Sequence, residues 1–252
     1  MRDFYSTQVY GKYFPLSHGR AVPERYNYVL DAIETLIGSR VARPLLEIGP
    51  EQAGVSDIVS KRLRLGTTEY VAVEASKPSA NHLVHAGYQV ILTDVSEAPL
   101  PFRPNTFGAV IASEVLEHLV NPDNFVREIH RVIRTDGIFV LTTPNLASWY
   151  NRLALLAGLQ PVMTETGTEW NVGWGSLRPR TRPVGHLRLF TLKSLLEFLE
   201  LHHFELAMVN GMGIEGGLGS SSLISMLDRT ISKVPSLSSC MLVACRVSQH
   251  QD

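Results

Sequence analysis

The sequence predicts an α/β protein in which helices cover both faces of a mostly parallel sheet. Three observations carry this prediction. From residue 45 onward, short apolar runs of strand length alternate with amphipathic stretches of helix length, a pattern typical of parallel sheets with crossover helices. The first apolar run ends at Gly49, which marks a tight turn into a helix. With 252 residues, 44% of them hydrophobic, the chain can bury a sizeable core.

Charge and cysteine content narrow the classes of function. The formal net charge is −1, from 23 basic and 24 acidic residues, so no overall field attracts nucleic acid or an anionic membrane. The N-terminus lacks the apolar run of a signal peptide, and no stretch has the length of a transmembrane helix. Cys240 and Cys245 lie five apart on one predicted strand, on opposite faces, and cannot bridge each other. We therefore expect a reduced, cytoplasmic protein without nucleic-acid or membrane partners.

The N-terminal 40 residues are predicted to form a helical region in front of a domain that spans residues 41–252. Pro23 can begin a helix, in which apolar side chains recur on one face at Tyr26, Leu30, Ile33 and Ile37. Two interpretations stay open. The region either covers one edge of the sheet, or closes over a ligand as a lid. As a lid, it would contact the ligand through Tyr10, Tyr13, His18 and Arg20.

The rest of the chain divides into alternating elements. Predicted strands cover residues 45–49, 70–74, 89–94, 107–113, 137–143, 203–209 and 240–247. Predicted helices cover residues 55–65, 78–86, 122–134, 146–157, 191–203 and 221–232. Asn121 and Thr191 are capping residues for two of these helices, and the Gly-rich stretch from Gly211 is expected to be a flexible connection. Residues 145–190, called the insertion below, interrupt the alternation on the substrate side.

Carboxylates occur in the first three predicted strands or at their ends. Glu47 lies in the first strand, Glu74 ends the second, and Asp94 ends the third. A carboxylate in the position of Glu74 can accept both hydroxyls of a ribose. Asp94 can accept from an adenine amino group while Val95 offers its backbone. The sequence therefore predicts a nucleoside-like ligand at this edge of the sheet.

The first turn argues against a NAD-dependent dehydrogenase, which shares this type of sheet. Such a turn needs Gly-x-Gly-x-x-Gly so that the backbone can approach a pyrophosphate. Here the turn reads Gly49-Pro-Glu-Gln-Ala-Gly54, with Glu51 where the second glycine belongs. A carboxylate at that position repels a diphosphate but not a positively charged sulfonium.

Three segments carry a resemblance to a known family. They read Phe107-Gly-Ala-Val-Ile-Ala-Ser-Glu-Val-Leu-Glu-His-Leu, Gly137-Ile-Phe-Val-Leu-Thr-Thr-Pro-Asn and Gly185-His-Leu-Arg-Leu-Phe-Thr. Together they resemble the class I S-adenosylmethionine-dependent methyltransferases over residues 25–247. The resemblance is closest to the branch with ubiquinone-type O-methyltransferases and small-molecule or glycan-pathway enzymes.

This resemblance implies a Rossmann-like sheet of seven strands, in the order 3-2-1-4-5-7-6 with the last strand antiparallel, and S-adenosylmethionine as cofactor. It implies cofactor contacts at Glu47, Gly49, Gly54, Glu74, Asp94, Val95 and Ser113. Relatives usually have Glu/Asp-x-Gly-x-Gly-x-Gly in the first turn, whereas Glu51 and Ala53 replace the second and third glycines here. A shift of one residue would let Gly54 serve as the third glycine.

A group of acidic and histidine residues follows the fourth predicted strand. Glu114, Glu117 and His118 are spaced i, i+3 and i+4, so on a helical turn they share one face. Carboxylates and imidazole suit Mg²⁺, Mn²⁺ or Zn²⁺. The spacing resembles the Glu-x-x-Glu-His metal pattern of ubiquinone-type O-methyltransferases and small-RNA 2′-O-methyltransferases, which have a further histidine, matched by His186. Three roles stay open: a metal site, a general base at His118, or a purely structural turn.

The insertion is the expected source of acceptor contacts. It holds Trp170 and Trp174, which can form flat apolar walls, and four arginines, namely Arg178, Arg180, Arg182 and Arg188. These residues favour a small-molecule acceptor with an aromatic or sugar body and an anionic group, although the arginines can also simply solvate a loop.

The expected function is methyl transfer from S-adenosylmethionine to a small molecule, at a hydroxyl oxygen, with or without a metal. The alternatives are a non-catalytic partner protein with the same fold, and methyl transfer to nitrogen or carbon. The sequence leaves the oligomeric state open.

Overall fold

A single seven-stranded sheet forms the centre of the computed structural model, which describes residues 24–38, 43–50, 53–96, 98–177, 180–214 and 222–248. The strands are β1 Leu45–Ile48, β2 Tyr70–Glu74, β3 Gln89–Leu92, β4 Phe107–Ser113, β5 Ile133–Pro144, β6 Phe204–Met212 and β7 Cys240–Val247. The helices are α1 Arg25–Leu36, α2 Ala53–Leu63, α3 Lys77–His85, α4 Pro122–Val132, α5 Trp149–Leu156, α6 Leu192–Leu201 and α7 Ser222–Ile231. A 3₁₀ turn, Leu116–His118, follows β4.

The strand order is β3-β2-β1-β4-β5-β7-β6. Strands β1 to β5 pair in parallel, whereas β7 is antiparallel to both β5 and β6. The predicted order and the antiparallel last strand are confirmed. Since the carboxyl ends of parallel strands meet at one edge, the residues that follow β1, β2, β3 and β4 lie along a common rim.

Two buried clusters show how the helices cover the sheet. One cluster packs α4 and α6 against one face, through side chains such as Phe125 and Leu195. The other packs α1, α2 and α3 against the opposite face, through side chains such as Leu30, Val59 and Leu83. Helices on both faces, as predicted, explain why β4 is buried along its whole length.

Helix α1 is part of this core. Tyr26, Leu30 and Ile33 are buried on the face expected from their spacing. The helix contacts α2 and strands β5, β6 and β7. The lid proposed for residues 1–40 stays a prediction, because Tyr10, Tyr13, His18 and Arg20 lie outside the described residues.

Most element bounds agree with the predictions within a few residues, and two predictions were wrong. Ile133 and Arg134 begin β5 instead of ending the preceding helix, because Ile133 pairs with Phe107 of β4. Gly211 and Met212 were expected in a flexible connection but belong to β6 and pair with β7. The capping roles of Asn121 and Thr191 are confirmed, since each side chain accepts from a backbone amide of its helix.

The two cysteines are free. Cys245 belongs to the buried cluster on one face of the sheet, and Cys240 packs against the cluster on the opposite face. Their spacing predicted this arrangement. Across the residues that the structure describes, no helix is both long and apolar enough to pass through a bilayer.

Candidate active site

Gly49 makes the turn after β1 that the sequence predicted. Its φ is +66°, in the left-handed region that favours glycine. Its N–H donates to the carbonyl of Val73 over 2.8 Å, and a Cβ added here would lie 3.3 Å from Cγ2 of Val115. Gly54 is exposed within the first turn of α2, where backbone N–H groups have no helical partner. The first turn of α2 therefore supplies backbone N–H groups without intrahelical partners after the end of β1.

Glu74 and Asp94 lie at neighbouring positions on the rim. Glu74 is 4% exposed, and its Oε1 accepts from the N–H of Ser76 over 2.9 Å. Asp94 is exposed, and its Oδ1 accepts from the N–H and hydroxyl of Ser96 over 2.9 and 2.7 Å. The side chain of Val95 packs in the core, so only its backbone can face a ligand. This arrangement is compatible with the predicted ribose and adenine contacts, which stay predictions.

Glu47 has a different environment from the other two acids. It is 0% exposed, and both carboxylate oxygens accept from tyrosine hydroxyls: Oε1 from Tyr26 over 2.7 Å and Oε2 from Tyr70 over 2.6 Å. Burial raises the pKa of Glu47 to about 7, although both tyrosine hydrogen bonds act in the opposite direction. A direct cofactor contact would require Glu47 to exchange one of these partners, and the predicted contact stays a prediction.

A second network connects α1 with the ends of β4 and β5. The Oγ of Ser113 lies 3.0 Å from Oγ1 of Thr142 and accepts from Nε of Arg25 over 2.9 Å. Glu114 has a φ of +56°. Its Oε1 accepts from Thr142 over 3.0 Å and from the thiol of Cys240 over 3.2 Å. Sequence reasoning missed Arg25, Thr142 and Cys240, because their approach depends on the strand order.

Three of the four predicted metal ligands come together: Glu117, His118 and His186 each offer a ligand atom, all within 4.8 Å of one another. Glu114 is not part of this group. The expectation of one shared helical face was wrong for Glu114, since the chain forms a 3₁₀ turn only from residue 116, and Glu114 has a left-handed backbone.

Glu117 contributes a buried carboxylate to this group. It is 0% exposed, and its Oε2 accepts from the hydroxyl of Thr143 over 3.0 Å. Its Oε1 is buried without a hydrogen-bond partner among the described residues. Burial, and to a smaller extent the nearby charge of Glu114, raises the pKa of Glu117 well above its ordinary value. An unsatisfied buried carboxylate oxygen is costly, so it favours a bound proton or cation.

Each of the two histidine rings forms a hydrogen bond with a backbone carbonyl of the insertion. Nδ1 of His118 lies 3.0 Å from the carbonyl of Gly185, and Nδ1 of His186 lies 2.9 Å from the carbonyl of Met163. Carbonyl oxygens only accept, so each Nδ1 carries a hydrogen, and a neutral ring in this tautomer has its lone pair on Nε2. The ring centroids are 5.0 Å apart. Burial, followed by the effect of His186, lowers the pKa of His118 to about 4, so its imidazole is neutral at physiological pH.

These three residues fit a divalent ion. Two imidazole nitrogens and a carboxylate form a donor set for a borderline transition metal. Each ligating ring also donates its other N–H to a carbonyl, as metal-bound histidines usually do. The unsatisfied Oε1 of Glu117 is the structural observation that supports the fit.

A cavity of about 620 Å³ opens beside His186. It is lined by residues 160–165, 171–176, 180–182, 184 and 186. His186 is thus shared between the cavity and the group with Glu117, and all of these lining residues belong to the insertion. The size lies in the range of small-molecule sites.

The predicted aromatic and basic residues divide between the cavity and the surface. Trp174, Arg180 and Arg182 line the cavity, and the Arg182 guanidinium lies over the ring of Trp170 at 4.1 Å. Arg188 does not line it and donates to the carbonyl of Val120 over 2.8 Å. Arg178 lies outside the described residues. Of the three predicted arginines that the structure describes, Arg180 and Arg182 line the cavity, and their anion-binding role stays a prediction.

Comparisons with known proteins agree with this geometry. Residues 22–209 match the family described as "Methyltransferase domain". A ubiquinone biosynthesis O-methyltransferase from Maricaulis maris is 29% identical over 163 residues, covering 60% of this chain and 58% of that protein. The probable S-adenosylmethionine-dependent methyltransferase MT3114 from Mycobacterium tuberculosis is 29% identical over 104 residues, covering 41% of this chain and 36% of its own length. The chain thus spans between about a third and three fifths of these two relatives.

One solved structure shows the same fold. A S-adenosylmethionine-dependent methyltransferase from Thermotoga maritima, described as a possible histamine N-methyltransferase, aligns with a TM-score of 0.57 at 14% identity. The alignment covers 88% of this chain and 89% of that one.

Proposed function

The chain belongs to the methyltransferase-domain family, and from this premise we propose that it transfers a methyl group from S-adenosylmethionine to a hydroxyl oxygen of a small molecule. The observation that carries the proposal is the group of Glu117, His118 and His186, in which the first two residues follow β4 and His186 also lines the cavity. The similarity to a ubiquinone biosynthesis O-methyltransferase supports oxygen as the acceptor atom.

In this proposal the rim holds the methyl donor. The turn at Gly49 and the start of α2 would face the amino acid part of the donor. Glu74 would accept from the ribose hydroxyls, and Asp94 from the adenine amino group. Because a sulfonium carries positive charge, a rim with carboxylates and no second turn glycine suits it better than a diphosphate.

The acceptor would bind in the cavity with its hydroxyl next to His118 and His186. The acceptor oxygen forms a bond to the methyl carbon while the bond from that carbon to sulfur breaks, and the hydroxyl proton must leave. His118 would take that proton at Nε2, because its Nδ1 donates to the carbonyl of Gly185. Catalysis then depends on alignment of the two substrates plus proton removal.

A divalent metal is compatible with this site as part of the proposal. Glu117, His118 and His186 would hold the ion, with Glu114 outside the group. When bound, such an ion would lower the pKa of the acceptor hydroxyl. If the ion is absent, His118 serves as the general base by itself.

Chelation and histidine variants together test the proton-removal step. We would measure methyl transfer with and without chelator, after metal add-back, and in His118→Ala and His186→Ala. His85→Ala serves as the matched control, since His85 is exposed on α3 and hydrogen-bonds within its own helix.

Loss of activity in chelator with recovery on add-back would support the metal. Full activity in chelator together with a loss of roughly 10²–10⁴-fold in His118→Ala would support the general base. Full activity in chelator together with full activity of His118→Ala would contradict both the metal and the general base.

The acceptor is proposed to carry an anionic group near Arg180 and Arg182. Charged hydrogen bonds are worth about 1.5–3 kcal/mol, so removal of either guanidinium should raise KM for an anionic acceptor by roughly 10–100-fold. A panel of anionic and neutral acceptors, with mass spectrometry of the products, measures this effect. Arg103→Ala is the control, because Arg103 is exposed and does not line the cavity. Equal KM changes for neutral acceptors would contradict the anionic group.

Two alternatives to the proposed O-methyl transfer can be tested. A product methylated at nitrogen or carbon would change the acceptor atom but not the donor. Calorimetric titration with S-adenosylmethionine and its demethylated product tests the non-catalytic alternative. If a folded sample binds neither ligand, the result would favour a non-catalytic partner protein.

We also propose that the protein is located in the reducing cytoplasm, which the two free thiols support.

A further inference from the structure

Both active-site histidines owe their orientation to backbone carbonyls of the insertion. His118 donates to the carbonyl of Gly185, and His186 donates to the carbonyl of Met163. Both carbonyls belong to residues with a left-handed backbone, since φ is +96° at Gly185 and +72° at Met163. A methionine rarely adopts this conformation without support from its surroundings.

Glu165 supplies such support from one side chain. Its Oε1 accepts from the backbone N–H groups of both Val184 and Gly185, the latter over 2.8 Å. Glu165 also lies two residues after Met163 in the chain. One carboxylate oxygen thus connects the segment that orients His186 with the segment that orients His118.

A direct contact with the acceptor is the other role open to Glu165. Its carboxylate lines the cavity, like Arg180 and Arg182, so its position alone would also fit an acceptor contact. Its two backbone amide partners favour a different role, because a carboxylate oxygen that accepts two N–H donors is already engaged.

We propose that Glu165 is a positioning residue that keeps His118 and His186 in the Nδ1–H tautomer, so that each neutral ring has its lone pair on Nε2. The proposal rests on the proposed function for its catalytic consequence, though not for the tautomers themselves. Without Glu165, the amides of Val184 and Gly185 lose their acceptor, and the carbonyl of Gly185 is no longer held against His118. A histidine in the other tautomer would present an N–H where the acceptor proton must go.

The tautomers can be measured directly. Nitrogen-15 NMR of the imidazole rings distinguishes Nδ1–H from Nε2–H in the full chain at neutral pH with chelator present. The wild type should show Nδ1–H at His118 and His186. Glu165→Ala should shift both signals towards Nε2–H. Glu165→Gln should preserve the wild-type pattern, because its side-chain oxygen can still accept from the two amides.

Glu169→Ala is the matched control. It removes the same charge from the same insertion, but Glu169 is exposed and does not line the cavity. The control should leave the tautomers and kcat unchanged. In Glu165→Ala, kcat should fall by roughly 10²-fold, the scale of general-base catalysis, while KM for S-adenosylmethionine stays the same.

An Nε2–H signal at either histidine of the wild type would overturn the proposal, and so would unchanged tautomers in a folded Glu165→Ala. If Glu165→Ala does not fold, the wild-type signals and those of Glu165→Gln still decide. A tautomer shift in a chain that transfers no methyl group would contradict the proposed function and leave the positioning role intact.

Discussion

The carboxylate of Glu47 lies between two tyrosine hydroxyls in the core. The family resemblance, in contrast, implies that Glu47 contacts the cofactor. Tyr26 comes from α1 and Tyr70 from β2. The hydroxyl of Tyr70 also lies 2.8 Å from the hydroxyl of Ser56 on α2. This buried network connects three elements below the turn that would receive the methyl donor.

Stability should therefore depend on pH through Glu47. Its pKa rises from the ordinary 4.5 to about 7 because of burial. Between these values the folded protein keeps a proton that the unfolded chain releases, so this contribution is full below pH 4.5 and is lost as pH rises through 7. The loss amounts to about 3 kcal/mol. The glutamine side chain of the Glu47→Gln variant does not titrate, so the variant lacks this loss. Its free energy of unfolding relative to the wild type, measured with denaturant, should therefore rise by about 3 kcal/mol between pH 4.5 and pH 7.

Glu69→Gln is a control with the opposite sign. The N–H of Gly66 and, to a lesser extent, Arg43 lower the pKa of Glu69. Its stabilising contribution is therefore present above pH 4.5 and lost as pH falls. The free energy of unfolding of Glu69→Gln should accordingly decrease relative to the wild type as pH rises. A pH-independent difference between Glu47→Gln and the wild type would show that the buried carboxylate is not protonated in the folded state.

Glu74 is the residue that most directly tests the cofactor rim. Glu74→Ala should weaken binding of S-adenosylmethionine by about 1–3 kcal/mol through lost charged hydrogen bonds, measured by calorimetric titration. Glu74→Gln keeps an acceptor for the N–H of Ser76, so it separates loss of the ribose contact from disturbance of the cap of α3. Affinity unchanged in both variants would place the ribose elsewhere.

At the scale of elements, specific polar contacts within the insertion join helix α5 to the segment that forms the cavity. The side-chain amide of Asn151 on α5 accepts from the N–H of Val162 over 2.6 Å and donates to the carbonyl of Val162 over 3.2 Å and of Leu146 over 3.1 Å. Asn151 is 1% exposed. This one residue therefore fixes the beginning of the segment that forms the cavity.

Asn151→Leu should loosen the insertion more than the core. The variant leaves the buried N–H and carbonyl of Val162 unpaired, at a cost of about 1–3 kcal/mol for each group. Amide exchange in residues 160–186 should accelerate by roughly tenfold or more, while exchange in β4 and β5 should change little. Arg152→Leu, at the neighbouring exposed position, is the control. Equal acceleration in β4 would show that the insertion and the core open together.

At the scale of the whole molecule, the rim is formed by residues distant in sequence, so ligand binding should stabilise the complete fold. At a hundred times its Kd, a ligand that binds only the folded state adds about 2.7 kcal/mol. For a chain of this size, S-adenosylmethionine should raise Tm by roughly 5–10 °C in a thermal unfolding experiment. NADH should give no such shift, because Glu51 replaces the second turn glycine. An equal shift with NADH would return the dehydrogenase interpretation to consideration.

The order of the elements could be predicted from the sequence because it is expressed locally. Apolar runs of strand length, the helix caps at Asn121 and Thr191, and the turn glycine at Gly49 each depend on neighbours within a few residues. The same holds for Glu74 and Asp94, whose place at strand ends follows from the pattern around them. Where a local pattern allowed two structures, as at Ile133 and Gly211, the prediction was wrong.

Only the tertiary structure decided which functional atoms already have partners and which meet. The oxygens of Glu47 are engaged by tyrosines from two other elements, and Glu114 turns towards Thr142 and Cys240 instead of Glu117. His118 and His186 come together because the insertion returns to the end of β4 and directs two carbonyls at their rings. Such contacts depend on the path of an irregular segment, which has no periodicity from which distant partners could be predicted.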